Sequence, residues 1–332
     1  MSGQSIPRRA GDEQPHTLIG GKLGEPAATV SNNAVEIEHV TKSFGPVAAV
    51  DDLSLAVPAG SICGFIGPNG SGKTTTLRMI MRIFLPDQGT IRVLGDESWH
   101  AASDRVTYLP EERGLYKTMR VREVLRFYAE LKGMRNSGPA IGEWLDRMRL
   151  ADAATKKVEA LSKGMAQKVQ FIAAVISKPE LVLLDEPFSG LDPVNENLFR
   201  EVILALKRQG TTIIFSTHNM AVAEQLCDFI FMIYRGKKVL DGTLDSIQDS
   251  YGFDTLRVRV DGASLGGLPG VERVTDLGRY QELRLVRGTD PQAVLAELMR
   301  RGAVDRFERT RPSLHDIFVR IANPAAEPQE TR

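Results

Sequence analysis

Several short segments of the chain are either alternately apolar and polar or almost wholly apolar, and both patterns predict β-strands. VEIEHV, residues 35–40, alternates as a strand does when one face is buried, and residues 44–57 continue into a second strand. SICGFIG (61–67), LVLLDEP (181–187) and TTIIFSTH (211–218) are apolar over most of their length. Such strands are typical of a parallel sheet covered by helices on both faces, so an α/β fold is predicted.

Helices are predicted where apolar residues recur every three or four positions, first over residues 74–84. A second apolar stripe comprises Val121, Val124, Leu125, Tyr128 and Leu131. A third follows the break at Ser137-Gly138-Pro139 and comprises Ile141, Trp144, Leu145 and Met148. We expect most of these side chains to pack inside the protein, within a helical region between about residues 119 and 161.

The pattern changes near residues 33 and 250. The first segment is rich in Gly, Ser, Pro, Asn and Gln without periodicity, which favours a disordered tail. Beyond residue 250 the predicted order is strand, strand, strand, helix, strand, helix, which indicates a small α+β domain. The predicted division is a tail at 1–33, a main domain at 34–250 with a helical subdomain at about 112–162, an α+β domain at 251–322 and a tail at 323–332.

Composition and charge exclude several classes of protein. The 332 residues exceed what one hydrophobic core usually organises, which favours two domains. Lys+Arg and Asp+Glu are both 42, so there is no basic footprint and no nucleic-acid partner is expected. Two cysteines are too few for a disulfide framework. No apolar run approaches the ~18–20 residues that cross a bilayer, and the N-terminus lacks a signal sequence, so we expect a cytosolic protein.

GPNGSGKT, residues 67–74, matches the phosphate-binding pattern G-x-x-x-x-G-K-[ST] between a predicted strand and a predicted helix. Its glycines let backbone N–H groups turn onto phosphate oxygens, and the positive end of the helix faces them. Lys73 is predicted to reach the β- and γ-phosphates, and the Thr74 hydroxyl to bind Mg²⁺. The predicted nucleotide contacts are Gly67, Pro68, Asn69, Gly70, Ser71, Gly72, Lys73, Thr74 and Thr75.

LVLLDEP supplies two acids at the end of a buried strand, where α/β sheets bind ligands. Asp185 is predicted to hold Mg²⁺, directly or through water. Glu186 is the candidate for the base that activates the attacking water. An acidic turn in solvent is the alternative interpretation, and the nearby phosphate-binding loop argues against it.

Five motifs in order resemble the nucleotide-binding subunit of an ATP-binding cassette (ABC) transporter. They are GPNGSGKT, LSKGM (161–165), LLDEP (183–187), SGLD (189–192) and STH (216–218). The resemblance covers residues 35–250 and implies a P-loop NTPase cassette with a mixed sheet and a helical subdomain. It also implies ATP and Mg²⁺ as ligands. The α+β domain, which ends in PSLHDIFVRIA, resembles the accessory domain of cassettes of the multidrug or sodium export type.

In this family two cassettes pack head to tail around two ATP molecules. LSKGM resembles the signature LSGGQ, although Lys163 and Met165 depart from it. The resemblance implies that Ser162 Oγ and Gly164 N–H contact the γ-phosphate bound to the opposite chain. Ser162 also reads as an ordinary helix N-cap, which is compatible with that role.

Four further residues take roles from the resemblance. Phe44 matches the aromatic residue that stacks on adenine, with a core phenylalanine as the alternative. His218 matches the histidine that contacts the γ-phosphate and steadies Glu186. Asp192 matches the loop that links the two ATP sites. Glu111 stands where the family usually has Gln, so its carboxylate could contact Mg²⁺ or water and adds a charge.

The family implies a transmembrane permease as partner, with this chain peripheral on the cytoplasmic face of the cell membrane. A coupling helix of that permease would dock on the helical region. The second cassette is either another copy or a related chain, and export follows from the likeness alone. A second hypothesis, an ABC protein that acts on nucleic acid or ribosomes, is disfavoured by the single cassette and neutral charge. A P-loop kinase or GTPase would leave LSKGM, SGLD and STH unexplained.

Overall fold

The computed structural model describes residues 32–97, 104–112, 114–252, 254–262 and 264–323. The predicted tails at 1–33 and 323–332 lie outside the described residues except at their inner edges. The predicted domain boundaries stay predictions. None of the helices in these described ranges has the length and apolar character needed to cross a membrane.

The strands and helices follow the predicted order over much of the chain. The strands are β1 (Asn33–Phe44), β2 (Val47–Pro58), β3 (Ile62–Ile66), β4 (Gln88–Val93), β5 (Val106–Leu109), β6 (Leu181–Asp185), β7 (Thr212–Thr217), β8 (Phe229–Tyr234), β9 (Lys237–Gly242), β10 (Thr255–Asp261), β11 (Val271–Asp276), β12 (Gln281–Leu285) and β13 (Ala303–Thr310). The α-helices are α1 (Lys73–Ile80), α2 (Val121–Leu131), α3 (Gly138–Arg147), α4 (Lys163–Val175), α5 (Pro193–Arg208), α6 (Met220–Leu226), α7 (Leu244–Tyr251), α8 (Pro291–Arg301) and α9 (Leu314–Ala322).

A six-stranded sheet with the order β5-β6-β7-β3-β8-β9 positions the phosphate-binding loop. All its strands are parallel except β9, which pairs antiparallel with β8 through a turn at Arg235-Gly236. Every residue of β3, β6 and β7 is buried, as the apolar runs predicted. Because β6, β7 and β3 are neighbours, the segments after their carboxyl ends meet at one edge of the sheet.

Two antiparallel sheets complete the fold, which is the mixed α/β architecture that the sequence predicts. One has the order β2-β1-β4 and shares a buried apolar cluster with β3 and α1. The other has the order β11-β12-β10-β13 and packs against α8, as expected for the small α+β region. Helix α9 buries Leu314 and Ile317 against Ile66 and Ile230 of the main sheet.

Helix α1 is shorter than predicted, because it ends at Ile80 rather than at residue 84. Arg82 has a left-handed backbone with φ of 52°, and Pro86 follows shortly afterwards. Proline cannot continue a helix, and it disfavours helical backbone in the residue before it. The turn brings Phe84 edge-on to Phe44, with ring centroids 5.3 Å apart. Strand β5 and helices α5 to α7 were not predicted from the sequence.

Candidate active site

The loop between β3 and α1 can be built only with glycine at two positions. Gly67 has φ of 156°, and a Cβ there would lie 2.1 Å from the carbonyl oxygen of Ile233. Gly72 has φ of 110°, and a Cβ there would lie 2.5 Å from the carbonyl oxygen of Ala49. Both distances are shorter than any real contact, so a side chain would push the loop away from its neighbours. The loop therefore closes tightly at the N-terminus of α1, the helix end that attracts anions.

Lys73 lies across this loop and is 5% exposed. Its Nζ donates to the carbonyl oxygens of Gly67 at 2.7 Å and Pro68 at 3.0 Å, and lies 4.0 Å from Glu186 Oε1. Burial lowers the pKa of Lys73, against the opposing effect of the carboxylates of Glu186, Asp185 and Glu111. A partly desolvated cation in this position is well placed to bind phosphate oxygens.

Three hydroxyl groups hold the fully buried carboxylate of Asp185. Thr74 Oγ1 donates to Oδ1 at 3.0 Å, Ser216 Oγ donates to the same oxygen at 2.5 Å, and Tyr108 OH donates to Oδ2 at 3.0 Å. Burial and the neighbouring Asp185 raise the pKa of Tyr108 to about 12, so its phenol stays a donor. Thr74 and Asp185 together offer the oxygen ligands that Mg²⁺ prefers, and they fit the predicted metal.

Tyr108 was missed at the sequence level. It lies on β5, which no strong alternating pattern marks, and it precedes the LPE segment that carries Glu111. The available signal was its position three residues before Glu111, a predicted site residue.

Glu186 has a backbone conformation that is uncommon for its residue type, with φ of 48°. Its N–H lies near both oxygens of Ser216, 3.2 Å from the carbonyl and 3.1 Å from Oγ. Its side chain is 9% exposed, and Oε1 lies 3.0 Å from Nδ1 of His218, whose side chain is 60% exposed. Strained backbone of this kind occurs where a site must aim a side chain. The glutamate is thus held between His218 and Lys73.

Of these residues, Lys73, Thr74 and Glu186 line a cleft with a volume of about 300 Å³, whereas Asp185 and His218 do not. It is lined by Ala49, Asn69, Gly70, Ser71, Gly72, Lys73, Thr74, Thr75, Glu111 and Glu186. Ser71 Oγ is buried and has no hydrogen-bond partner within the described ranges, so the loop retains an unused hydroxyl. The cleft thus combines the Lys73 cation and the hydroxyl residues Ser71, Thr74 and Thr75, which suit a triphosphate, with two acids, which suit its Mg²⁺ and the attacking water.

The other predicted residues do not line this cleft. Phe44 is 46% exposed, and its ring contacts both Phe84 edge-on and the Lys42 ammonium, which lies 5.7 Å from the ring centroid. Ser162 is exposed and caps α4, accepting from the N–H of Met165 at 3.3 Å, with Gly164 in the first turn. Asp192 caps α5, and its backbone hydrogen bond from Asn195 is the largest influence that lowers its pKa.

Comparisons with known proteins show what the chain is similar to. Residues 50–189 match the family model described as ABC transporter, and residues 242–322 match the C-terminal domain of DrrA1-3-like ATP-binding proteins. The chain is 42% identical over 287 residues to the uncharacterized ABC transporter ATP-binding protein YhaQ of Bacillus subtilis, covering 85% of this chain and 96% of that protein.

Two further relatives extend the comparison. The Nod factor export ATP-binding protein I of Sinorhizobium fredii is 33% identical over 304 residues, covering 88% of this chain and 86% of that protein. A solved structure described as the ATP binding subunit of an ABC transporter aligns with a TM-score of 0.63 and 26% identity. That alignment covers 80% of this chain and 99% of the solved chain.

Proposed function

The chain belongs to the family of ABC transporter ATP-binding proteins, and we propose that it hydrolyses ATP with Mg²⁺ to power a membrane exporter. It acts as one of two paired cassettes on the cytoplasmic face of the membrane. The observation that carries hydrolysis is the arrangement of Glu186 between two cationic or polar partners. Its Oε1 lies 3.0 Å from His218 Nδ1 and 4.0 Å from Lys73 Nζ, at the wall of the cleft.

The residues divide the chemistry between them. Glu186 accepts a proton from a water molecule, whose oxygen attacks the γ-phosphorus while the bond to the β,γ-bridging oxygen breaks. Lys73 and the amides of the loop stabilise the negative charge that develops on the phosphate oxygens. His218 orients Glu186 through its Nδ1. Mg²⁺ would be held by Thr74 and Asp185 and would neutralise phosphate charge when bound. Glu111, which also lines the cleft, offers a further oxygen.

Pairing of two cassettes supplies what one cleft lacks. The Ser162-Gly164 turn is exposed at the N-terminus of α4 and does not line the cleft of its own chain. An exposed helix N-terminus with a serine cap can bind an anion, and the γ-phosphate on a second chain is that anion in our proposal. Asp192 caps α5 and would link the two sites, and Phe44, which is 46% exposed, would stack on adenine.

A surface beside the Glu111 loop fits a permease. Tyr116 and Leu131 are 52% and 63% exposed, and the rings of Tyr116, Phe127 and Tyr128 pack edge-on in sequence. Tyr128 OH donates to the carbonyl oxygen of Gly114, so this surface is tied to the chain that follows Glu111. Exposed aromatic and aliphatic side chains are typical of interfaces. Export is supported by the printed name of the Nod factor relative.

The permease proposal predicts a membrane fraction that depends on this surface. We expect the chain to sediment with membranes of its source organism, and Leu131→Glu to reduce the bound fraction by about tenfold, because a charge would be buried at the interface. Leu85→Glu is the matched control, since Leu85 is 62% exposed and lies elsewhere on the sequence, after α1. A wild-type chain that never sediments with membranes contradicts the permease, and equal behaviour of the two variants contradicts this surface.

A further inference from the structure

Gln170 on α4 binds the loop that carries Glu111 at two points. Its Nε2 donates to the carbonyl oxygen of Pro110 at 3.1 Å and to that of Glu112 at 3.1 Å. The side chain is buried, with 5% of the residue exposed. These two carbonyl groups belong to the residues on either side of Glu111. The amide therefore fixes the backbone immediately before and after that acid.

The two acceptors determine which way the amide of Gln170 points, because only its NH₂ group can donate to both carbonyls. Its Oε1 is then buried without a hydrogen-bond partner among the described residues. A buried acceptor left unpaired is costly, by about 1–3 kcal/mol. The side chain thus uses both N–H donors on one loop although its Oε1 accepts no hydrogen bond. Such an arrangement is unusual for a residue that only fills space.

The position of the Glu111 carboxylate in the cleft depends on the position of that loop. It lines the cleft, and its charge contributes to the pKa of Lys73. Ser162 caps the N-terminus of the same helix, in a turn that does not line this cleft. Gln170 therefore connects Glu111, which lines the cleft, with α4, the helix that begins at the Ser162 turn.

We propose that Gln170 is a positioning residue that joins the Glu111 loop to α4 and thereby holds Glu111 at the cleft. This inference rests on the proposed ATP function. Neighbouring contacts of α4 are consistent with it: Gln167 Nε2 lies 3.4 Å from the carbonyl oxygen of Pro187, the residue after Glu186. Helix α4 thus contacts the backbone beside both acids of the cleft.

The test is a double-mutant cycle between Gln170→Met and Glu111→Ala. Methionine keeps the length and adaptability of the side chain and removes both donors. In the otherwise wild-type chain, Gln170→Met lowers kcat/KM for ATP by roughly 5- to 100-fold, the factor for two lost hydrogen bonds. In the Glu111→Ala background the same substitution changes kcat/KM by less than about twofold, since Glu111 is no longer there to be positioned.

Lys168→Met is the matched control on the same helix. Lys168 is buried, and its Nζ donates to the carbonyl oxygen of Met148, which is not next to a cleft acid. We expect Lys168→Met to change kcat/KM for ATP by the same factor with and without Glu111→Ala. Additive behaviour of Gln170→Met, or a wild-type rate in that variant, overturns the inference while leaving the proposed function intact.

A second measurement needs no hydrolysis. In hydrogen–deuterium exchange, Gln170→Met accelerates exchange of the amides of residues 107–109, 111 and 112 by at least about fivefold, because their backbone loses its attachment to α4. Lys168→Met leaves these amides unchanged. Unchanged exchange in Gln170→Met contradicts the attachment, whatever the ATPase activity of the chain. If the wild-type chain has no ATPase activity but the two variants show these exchange rates, the proposed function is refuted and the attachment of the Glu111 loop to α4 is retained.

Discussion

Glu186→Gln reduces the rate of ATP hydrolysis by ~10²–10⁴-fold, the usual contribution of a general base. Glutamine has nearly the same shape and can still contact His218 Nδ1 and the loop, but it cannot accept the proton of the attacking water. ATP binding is expected to survive, because the phosphate contacts of Lys73 and the loop are unchanged. The variant should therefore remain an ATP-loaded dimer on a size-exclusion column.

Glu180→Gln is the control for this substitution. Glu180 precedes β6 while Glu186 follows it, and its carboxylate is about half exposed in an ion pair with Arg105. Solvent-exposed ion pairs contribute little, so we expect hydrolysis within about twofold of the wild type. Glu186→Gln with near-normal turnover would contradict the assignment of the base. A Glu186→Gln chain that stays monomeric at saturating ATP would contradict the pairing of two cassettes.

Lys73→Ala lowers the affinity for ATP by about 100-fold. The ammonium is 5% exposed and lies over the loop, where a charged hydrogen bond to phosphate contributes about 1.5–3 kcal/mol. The substitution also removes its two bonds to loop carbonyls, so the loop loses a support from inside. Titration of a fluorescent ATP analogue measures the change.

Lys132→Ala is the matched control for Lys73→Ala. Its Nζ also donates to a backbone carbonyl, that of Val106 at 3.1 Å, and burial also lowers its pKa. It lies just after α2 and does not line the cleft. We expect its affinity for ATP to stay at the wild-type value. Unchanged binding in Lys73→Ala would contradict the assignment of the phosphate-binding loop.

The cleft could be predicted from the sequence because its parts follow local patterns. A glycine-rich loop, two acids and a histidine each come directly after a buried strand, and the parallel topology then brings those strand ends together. The structure confirms this for Lys73, Thr74, Asp185, Glu186 and His218, which lie in one connected group. The roles of these residues stay predictions.

Contacts between distant segments could not be predicted in this way. Gln170 reads as a polar residue in a helix, and only folding brings it to the carbonyls of Pro110 and Glu112. Tyr108 reads as part of a short mixed segment, yet it holds Asp185, 77 positions away. The end of α1 was missed because the apolar spacing continues to residue 84 while the backbone reverses after Ile80. Periodicity describes which face is buried, and it does not describe which partner buries it.

The central claim is that each ATP site is completed by the Ser162 turn of a second molecule, and mixing two inactive variants tests it most directly. The first variant, Ser162→Asp, keeps a good N-cap for α4 but places a carboxylate against the γ-phosphate bound to the partner chain. The second variant, Lys73→Ala, disables the phosphate-binding loop of the chain that carries it. When the two variants are mixed in equal amounts and pair at random, about half of the dimers contain one chain of each. Each such dimer has one intact site of two, so the mixture recovers about a quarter of the wild-type hydrolysis rate. A mixture no more active than the sum of the two separate variants would contradict the claim.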